Sequence, residues 1–201
     1  DTTTWQQMLD SIDRPLVNRA SSGVYPPGST LKPFLALAGL EAGLRTPAWS
    51  KWDPGYFSLP GSNAKFRDWK KGGHGQVNMH KAIVESVDTY FYKLADELGI
   101  DTIHRYLTRF GFGAKTGIDL PSESNGVAPS REWKKRRFGT PWYPGDTISV
   151  GIGQGYNLVT PLQLAVATAG IANGHSLVQP VLTKAELDPT FKKDSTSITP
   201  T

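Results

Sequence analysis

Ser29 and Lys32 stand three residues apart in the segment Tyr25-Pro26-Pro27-Gly28-Ser29-Thr30-Leu31-Lys32-Pro33-Phe34. On one helical turn that spacing puts both side chains on the same face. A serine hydroxyl is a weak nucleophile until a neighbour takes its proton, and burial favours the neutral amine of a lysine, which can then act as that neighbour. The N-terminal end of a helix adds positive potential where negative charge develops. The same serine also reads as a plain N-cap, its hydroxyl accepting from the free backbone N–H groups of the helix behind it. Ser-x-x-Lys is a short pattern, and Ser62-Asn63-Ala64-Lys65 repeats it inside a Pro/Gly-rich loop with no helix after it. Ser29 differs in context. A stiff Pro-Pro-Gly turn precedes it, and the apolar run Phe34-Leu35-Ala36-Leu37-Ala38-Gly39-Leu40 follows.

Asp53, Asp68 and His74 form a second set with ligand-type side chains. They either converge on a metal, with tetrahedral zinc then needing a fourth group such as water, or cap turns beside a surface histidine. Their spacings match no compact ligand motif, so the turn reading is preferred and no metal or cofactor is expected. Gly151-Ile152-Gly153-Gln154-Gly155 reads as a tight turn where backbone closely approaches another group. It is not G-x-G-x-x-G and no nucleotide-binding unit surrounds it, which excludes a phosphate loop. His80 and His104 fall in helical patterns and are assigned surface or packing roles.

The elements that must position these residues follow from periodicity. Trp5 to Ile12 reads as a short helix ended by Arg14-Pro15, and Leu16–Ala20 as extended. The helix after Ser29 runs to about Gly43. Residues 45–77, rich in Gly, Pro and Trp, read as a long functional loop. Residues 78–98 read as a helix or a broken pair, with Ala82, Ile83, Tyr90, Phe91, Leu94, Ala95 and Leu98 at helical spacing. This stretch carries Ser86-Val87-Asp88. Another amphipathic helix follows, with Ile103, Tyr106, Leu107 and Phe110 inward. Residues 111–147 read as loop-rich, and Ile148-Ser149-Val150 as a short strand. Thr160-Pro161-Leu162-Gln163 starts a helix that runs to Gly174, threonine capping and proline at the first position. The tail from Lys184 is polar and expected to be poorly ordered.

With 201 residues the chain fits one domain with a real core. It divides into a lead-in (1–28), a helical core with active-site loops (29–183) and the polar tail (184–201). The formal net charge is +4, concentrated in Lys70-Lys71 and Lys134-Lys135-Arg136-Arg137. Both runs read as solvated faces rather than a nucleic-acid surface, with attraction to an anionic polymer or membrane surface as the alternative. The absence of cysteine excludes disulfides, thiolate metal sites and a cysteine nucleophile. No stretch approaches the roughly 18 apolar residues of a membrane span, and there is no signal-peptide pattern.

Several segments agree on one family. Tyr25-Pro26-Pro27-Gly28-Ser29-Thr30-Leu31-Lys32-Pro33, Asp53-Pro54-Gly55, Arg67-Asp68-Trp69-Lys70, Glu85-Ser86-Val87-Asp88-Thr89-Tyr90-Phe91-Tyr92, Thr116-Gly117-Ile118-Asp119-Leu120 and Gly151-Ile152-Gly153-Gln154-Gly155-Tyr156 with Thr160-Pro161-Leu162-Gln163 resemble a class B penicillin-binding protein. Their order and spacing are most similar to the elongation-specific penicillin-binding protein 2 of Gram-negative bacteria, from Arg14 to about Pro180. The resemblance implies an α+β transpeptidase fold, a helical cluster packed on an antiparallel sheet, and since this sequence supplies few strands the sheet is expected to be incomplete in it. It implies a peptidoglycan D,D-transpeptidase in which Ser29 attacks the D-Ala–D-Ala carbonyl of a stem peptide, Lys32 is its base, and Ser86 relays a proton to the leaving nitrogen. The backbone N–H of Ser29 would give half of an oxyanion hole. It further implies β-lactams acylating the same serine, no cofactor, an anchor to the periplasmic face of the inner membrane, and work beside a lipid-II polymerase and other rod-complex proteins.

Two departures from the family pattern stand out. Asp88 replaces the asparagine of Ser-x-Asn; an ionised Asp accepts a hydrogen bond from Lys32 but donates none. The third motif, Lys-Ser/Thr-Gly, belongs well after the Gly-Gln-Gly turn, and the literal match Lys115-Thr116-Gly117 comes too early and is read as a decoy. The chain is expected to stop before the real motif, and an inactive fragment is therefore one expectation. The alternatives are a serine β-lactamase, for which no deacylating base is evident, and a non-catalytic binding module.

Overall fold

Helix α4, Asp88–Arg109, is the spine against which the helices Lys32–Glu41, Met79–Val84 and Pro144–Val150 pack. The computed structural model describes residues 2–174 and 176–182; the expected polar tail, 184–201, lies outside them. Tyr90, Phe91, Leu94, Ala95, Leu98, Ile100, Ile103 and Leu107 of α4 are buried, which is why this run forms one long helix. The two helices expected on either side of residue 99 are joined at a kink where Gly99 takes φ 70 and ψ 158. Helix α2, Lys32–Glu41, packs along α4. Gly39 makes the close approach possible, since a Cβ there would sit 2.8 Å from Leu94 Cδ1. Phe34 closes the far end against Phe110 and Phe112, ring centroids 4.9 and 5.2 Å apart and edge to face. Each such side chain contributes about 1.5–3 kcal/mol by burial.

Residues 45–77 are not the open loop expected. Strand β1, Ser50–Asp53, pairs antiparallel with β4, Gly75–Asn78, in the register Ser50↔Asn78 to Asp53↔Gly75. Between them β2, Tyr56–Phe57, pairs with β3, Phe66–Arg67. Strands of two to four residues are too short to show alternation, and aromatic packing of Phe57 and Phe66 on Tyr92 holds them to α4. β4 leads directly into α3, Met79–Val84, whose N-cap Asn78 accepts from the Lys81 amide. Helix α1, Thr2–Asp10, buries nothing.

The supposed loop 111–147 holds two more helices. α5, Arg131–Phe138, starts at the Ser130 hydroxyl, which accepts from the Trp133 amide, and ends at left-handed Gly139. Its Lys134 is not on a solvated face. It is 3% exposed, bonds Asp146 and lies 4.4 Å from the Tyr143 ring centre. α6, Pro144–Val150, contains the trio expected as a strand. Proline in its first turn and the Asp146 carboxylate accepting from the Tyr143 amide at 2.8 Å outweigh the β-branched residues at its end. α7, Pro161–Ala172, starts as expected, with Thr160 accepting from the Gln163 amide and Gln163 Oε1 from the Thr160 amide. The architecture is thus a helical cluster carrying small antiparallel sheets, in keeping with the expected α+β class.

Candidate active site

The turn before Ser29 is locked by residues far along the chain. Tyr25 and Val159 exchange backbone hydrogen bonds at 2.9 Å in both directions, and the Gly28 amide donates to Gly153 O at 2.9 Å. Gly28 takes φ 57 and Gly153 φ 70. The glycine-rich turn therefore approaches closely a backbone segment, the one that presents Ser29. Ser29 is not an N-cap. It lies inside a 3-10 turn, Gly28–Leu31, that runs straight into α2, and its side chain bonds elsewhere.

Lys32, 1% exposed, is held by three acceptors: Ser86 O at 2.8 Å, Ser86 Oγ at 3.0 Å and Asp88 Oδ1 at 2.6 Å. An ammonium has three donors, so the set is matched. Ser86 Oγ in turn donates to Ser29 Oγ at 2.8 Å. The lysine thus reaches the nucleophile through the Ser86 hydroxyl. Ser86 occupies the bend between α3 and α4 with φ 54. A non-glycine residue in that region costs about 1–3 kcal/mol and persists where neighbours over-determine it; here Lys32 and Ser29 both hold it. All four candidate residues, Ser29, Lys32, Ser86 and Asp88, are brought together.

Ser29, Ser86 and Asp88 line a cleft of about 580 Å³, together with Trp69, Val84, Glu85, Ile152 and Gln154, while Lys32 stays buried behind them. Trp69 and Glu85 fall within segments that resemble the family, but neither was assigned a role from the sequence, and Val84 carries no sequence signal. The Trp69 indole N–H donates to Glu85 O at 3.1 Å, fixing this wall.

Behind the wall lies the second candidate set. Asp53, Asp68 and His74 are buried, and their donor atoms fall within 4.8 Å of one another. Both carboxylates do cap turns, Asp53 accepting from the Gly55 amide and Asp68 from the Lys70 amide. The histidine, however, is not on the surface. Its Nδ1 is 2.8 Å from Asp53 Oδ2 and 3.6 Å from Asp68 Oδ1. Asp68 Oδ2 also accepts from the Thr89 amide at 3.0 Å, tying the sheets to the first turn of α4. Burial pushes the Asp53 carboxyl up, and hydrogen bonds from its neighbours outweigh this to hold it below the usual range. Among the described residues this is the one group with the donor set of a cation site.

The remaining motifs sort cleanly. Ser62 Oγ accepts from the Ala64 amide in a turn, so the second Ser-x-x-Lys is local turn chemistry. Lys115-Thr116-Gly117 lies in a loop, where the Glu123 carboxylate takes the Thr116 amide at 2.7 Å, the Thr116 hydroxyl at 2.5 Å and the Gly117 amide at 3.2 Å. None of the three lines the Ser29 cleft. His104 Nδ1 sits 3.2 Å from Ala128 O, a packing role, and His80 is exposed.

Comparison with known proteins gives the same answer over the whole chain. The penicillin binding protein transpeptidase domain family matches residues 1–200. The peptidoglycan D,D-transpeptidase MrdA of Acinetobacter baumannii is 57% identical over 181 residues, 90% of this chain, and this chain spans only 27% of that protein's length. Penicillin-binding protein 2 of Pseudomonas aeruginosa, solved in complex with WCK 5153, superposes with a TM-score of 0.88 at 50% identity, covering 92% of this chain and 40% of that one. The Helicobacter pylori protein, solved in complex with MreC, gives 0.88 at 42% identity, covering 94% and 35%. Motif order, the Ser29–Ser86–Lys32 connection and these likenesses agree, and the chain belongs to the penicillin-binding protein transpeptidase domain family.

Proposed function

We propose that this chain is the nucleophile-bearing part of a peptidoglycan D,D-transpeptidase of the penicillin-binding protein 2 type. The observation that carries the reading is the hydrogen-bonded series Lys32 Nζ, Ser86 Oγ, Ser29 Oγ, at 3.0 and 2.8 Å, opening on a cleft. Hydroxyl protons rotate freely, so the series can run in either sense. In acylation the Lys32 ammonium first passes one proton to the Asp88 carboxylate it bonds; the Ser29 proton then goes to Ser86 Oγ while the Ser86 proton goes to the amine so freed. Ser29 Oγ then bonds the carbonyl carbon of the penultimate D-Ala, and the amide nitrogen of the terminal D-Ala leaves with a proton returned through Ser86. The Ser29 backbone N–H supplies one oxyanion donor, a contact typically worth about a hundred- to a thousandfold in rate. Asp88 holds the lysine on line and does not touch substrate. An amine of a neighbouring stem peptide takes the acyl group, and β-lactams acylate Ser29 in place of the peptide.

In its natural full length the protein works at the periplasmic face of the inner membrane, beside a lipid-II polymerase and rod-complex proteins. The family resemblance and the Helicobacter pylori relative solved with MreC support this setting. The test is intact mass after incubating the full-length protein with benzylpenicillin, followed by peptide mapping. One covalent adduct on Ser29, lost in Ser29→Ala, is expected; a folded protein that forms none overturns the reading.

A further inference from the structure

Resting on the transpeptidase reading, we propose that a second cleft beside the Ser29 cleft receives the acyl acceptor, and that the Glu85 carboxylate at their junction binds the acceptor's ammonium group.

The second cleft, about 490 Å³, is lined by Ser50, Gln76, Asn78, His80 and Lys81, and it shares Val84 and Glu85 with the cleft around Ser29. Its size suits a short peptide segment rather than water alone. The two clefts therefore form one path over the α3 C-terminus, with Ser29 at one end. Their chemistry is asymmetric. On the far side stand the neutral donors Gln76 and Asn78 and the cationic Lys81, which already donates to His74 O at 2.7 Å. At the junction stands one carboxylate. A peptide that carries both carboxylates and a primary amine fits this order, amine toward Ser29 and carboxylates behind.

Glu85 is free for that task. Among the described residues no lysine or arginine pairs with it within 4.0 Å; its one charged-type neighbour is His74 Nε2, 4.0 Å from Oε2. That nitrogen is buried and has no hydrogen-bond partner. The ring it belongs to is fixed from behind by Asp53. The Glu85 backbone carbonyl is fixed too, by the Trp69 indole. The carboxylate is thus held at the boundary between a rigid polar core and the cleft, where a partner must come from the cleft side. An ammonium placed there lies beside the acyl-enzyme and is oriented before it reacts. It gives one proton to water. The neutral nitrogen then bonds the acyl carbon as the bond from that carbon to Ser29 Oγ breaks, and the second amine proton returns to Ser29 oxygen.

The test is the partition of one acyl-enzyme between water and added amine, with full-length protein and a D-alanyl thioester donor. The ratio is formed after acylation and cancels any change in that step. Glu85→Gln is expected to lower transfer to a D-amino acid, present as an ammonium, by about tenfold to a hundredfold relative to hydrolysis. Transfer to hydroxylamine, largely neutral at pH 7.5, is expected to fall by less than about threefold, and Glu85→Asp to recover part of the loss. A second variant, Ser50→Trp, fills the adjoining cleft and is expected to lower transfer to a stem peptide more than to a single D-amino acid. Equal losses toward both nucleophiles, or an unchanged partition in Glu85→Gln, overturn the proposal while leaving the transpeptidase reading intact. Absence of any acyl-enzyme on the unaltered protein overturns both.

Discussion

Gly153→Ala should cripple acylation from a residue that never touches substrate. A Cβ at this position would lie 2.1 Å from Gly28 O, 2.7 Å from Gly28 C and 2.8 Å from Gly28 N. All three are backbone atoms of the turn that presents Ser29, so no side chain can rotate away. The backbone must also stay at φ 70, which costs an L-residue about 1–2 kcal/mol. Relief of the clash adds about 1–3 kcal/mol, giving a total loss near 2–5 kcal/mol. At roughly 2–4 °C per kcal/mol for a domain of this size, Tm falls by about 4–20 °C. The turn must shift by about an ångström to admit the methyl group, and a displacement of that size at a reacting group costs on the order of a hundredfold in rate. Gly139→Ala is the matched control, with φ 69 but nothing within 4 Å of its Cβ. It should show the strain alone, about 1–2 kcal/mol, with acylation by fluorescent penicillin within about twofold of the parent. If Gly153→Ala acylates as fast as Gly139→Ala, the view that the glycine turn positions Ser29 is wrong.

Two further outcomes follow from the buried charges. Asp88→Ala strands the Lys32 ammonium, which is 1% exposed, and should destabilise the protein by about 3 kcal/mol, with Asp88→Asn losing less because its amide oxygen still accepts; denaturant titration of both variants checks this, and equal midpoints for Ala and parent would refute it. Burial, with the Asp88 and Asp68 charges nearby, pushes the Tyr92 phenol up to about 12. The folded state then keeps a proton that the unfolded chain releases near pH 10, so stability present below pH 10 declines between 10 and 12, by about 2–3 kcal/mol in all. Tyr92→Phe should remove that part of the alkaline decline, measured by urea unfolding across the interval; an unchanged decline would assign it to other groups.

How much of this was legible beforehand depended on range along the chain. Ser29 and Lys32 share one turn, and their spacing together with the Pro-Pro-Gly turn before and the apolar run after singled them out over Ser62 and Lys65. Ser86 and Asp88 needed the family resemblance, because the bend that turns them toward Ser29 exists only once α3 and α4 pack. Glu85 and Trp69 sit inside family-like segments, yet they reach the cleft by the same tertiary route, so their place in it could not be read from spacing. The strands between residues 50 and 78 escaped notice because pairs of two to four residues are fixed by Phe57 and Phe66 on Tyr92, not by alternation. Ile148-Ser149-Val150 misled through β propensity, while Pro144 and Asp146, residues that start a helix, decided the matter. Lys134 misled in the opposite way: a basic run predicts a solvated face, and only the fold brings Asp146 and Tyr143 to its amine.

The exchange between Tyr25 and Val159, with Gly28 on Gly153, has a temporal meaning. The nucleophile's turn is complete only after a segment more than a hundred residues later arrives. Contacts so distant in sequence form late, because closing the loop costs entropy before the contact returns anything. During synthesis the nucleophile's turn stays unsupported while α2 to α6 are already made, and on the proposed function reactivity toward penicillin switches on when residues 151–159 dock. On the proposed function, covalent labelling of Ser29 by a β-lactam is in this sense a clock for the final step of folding, marking only molecules that have finished it.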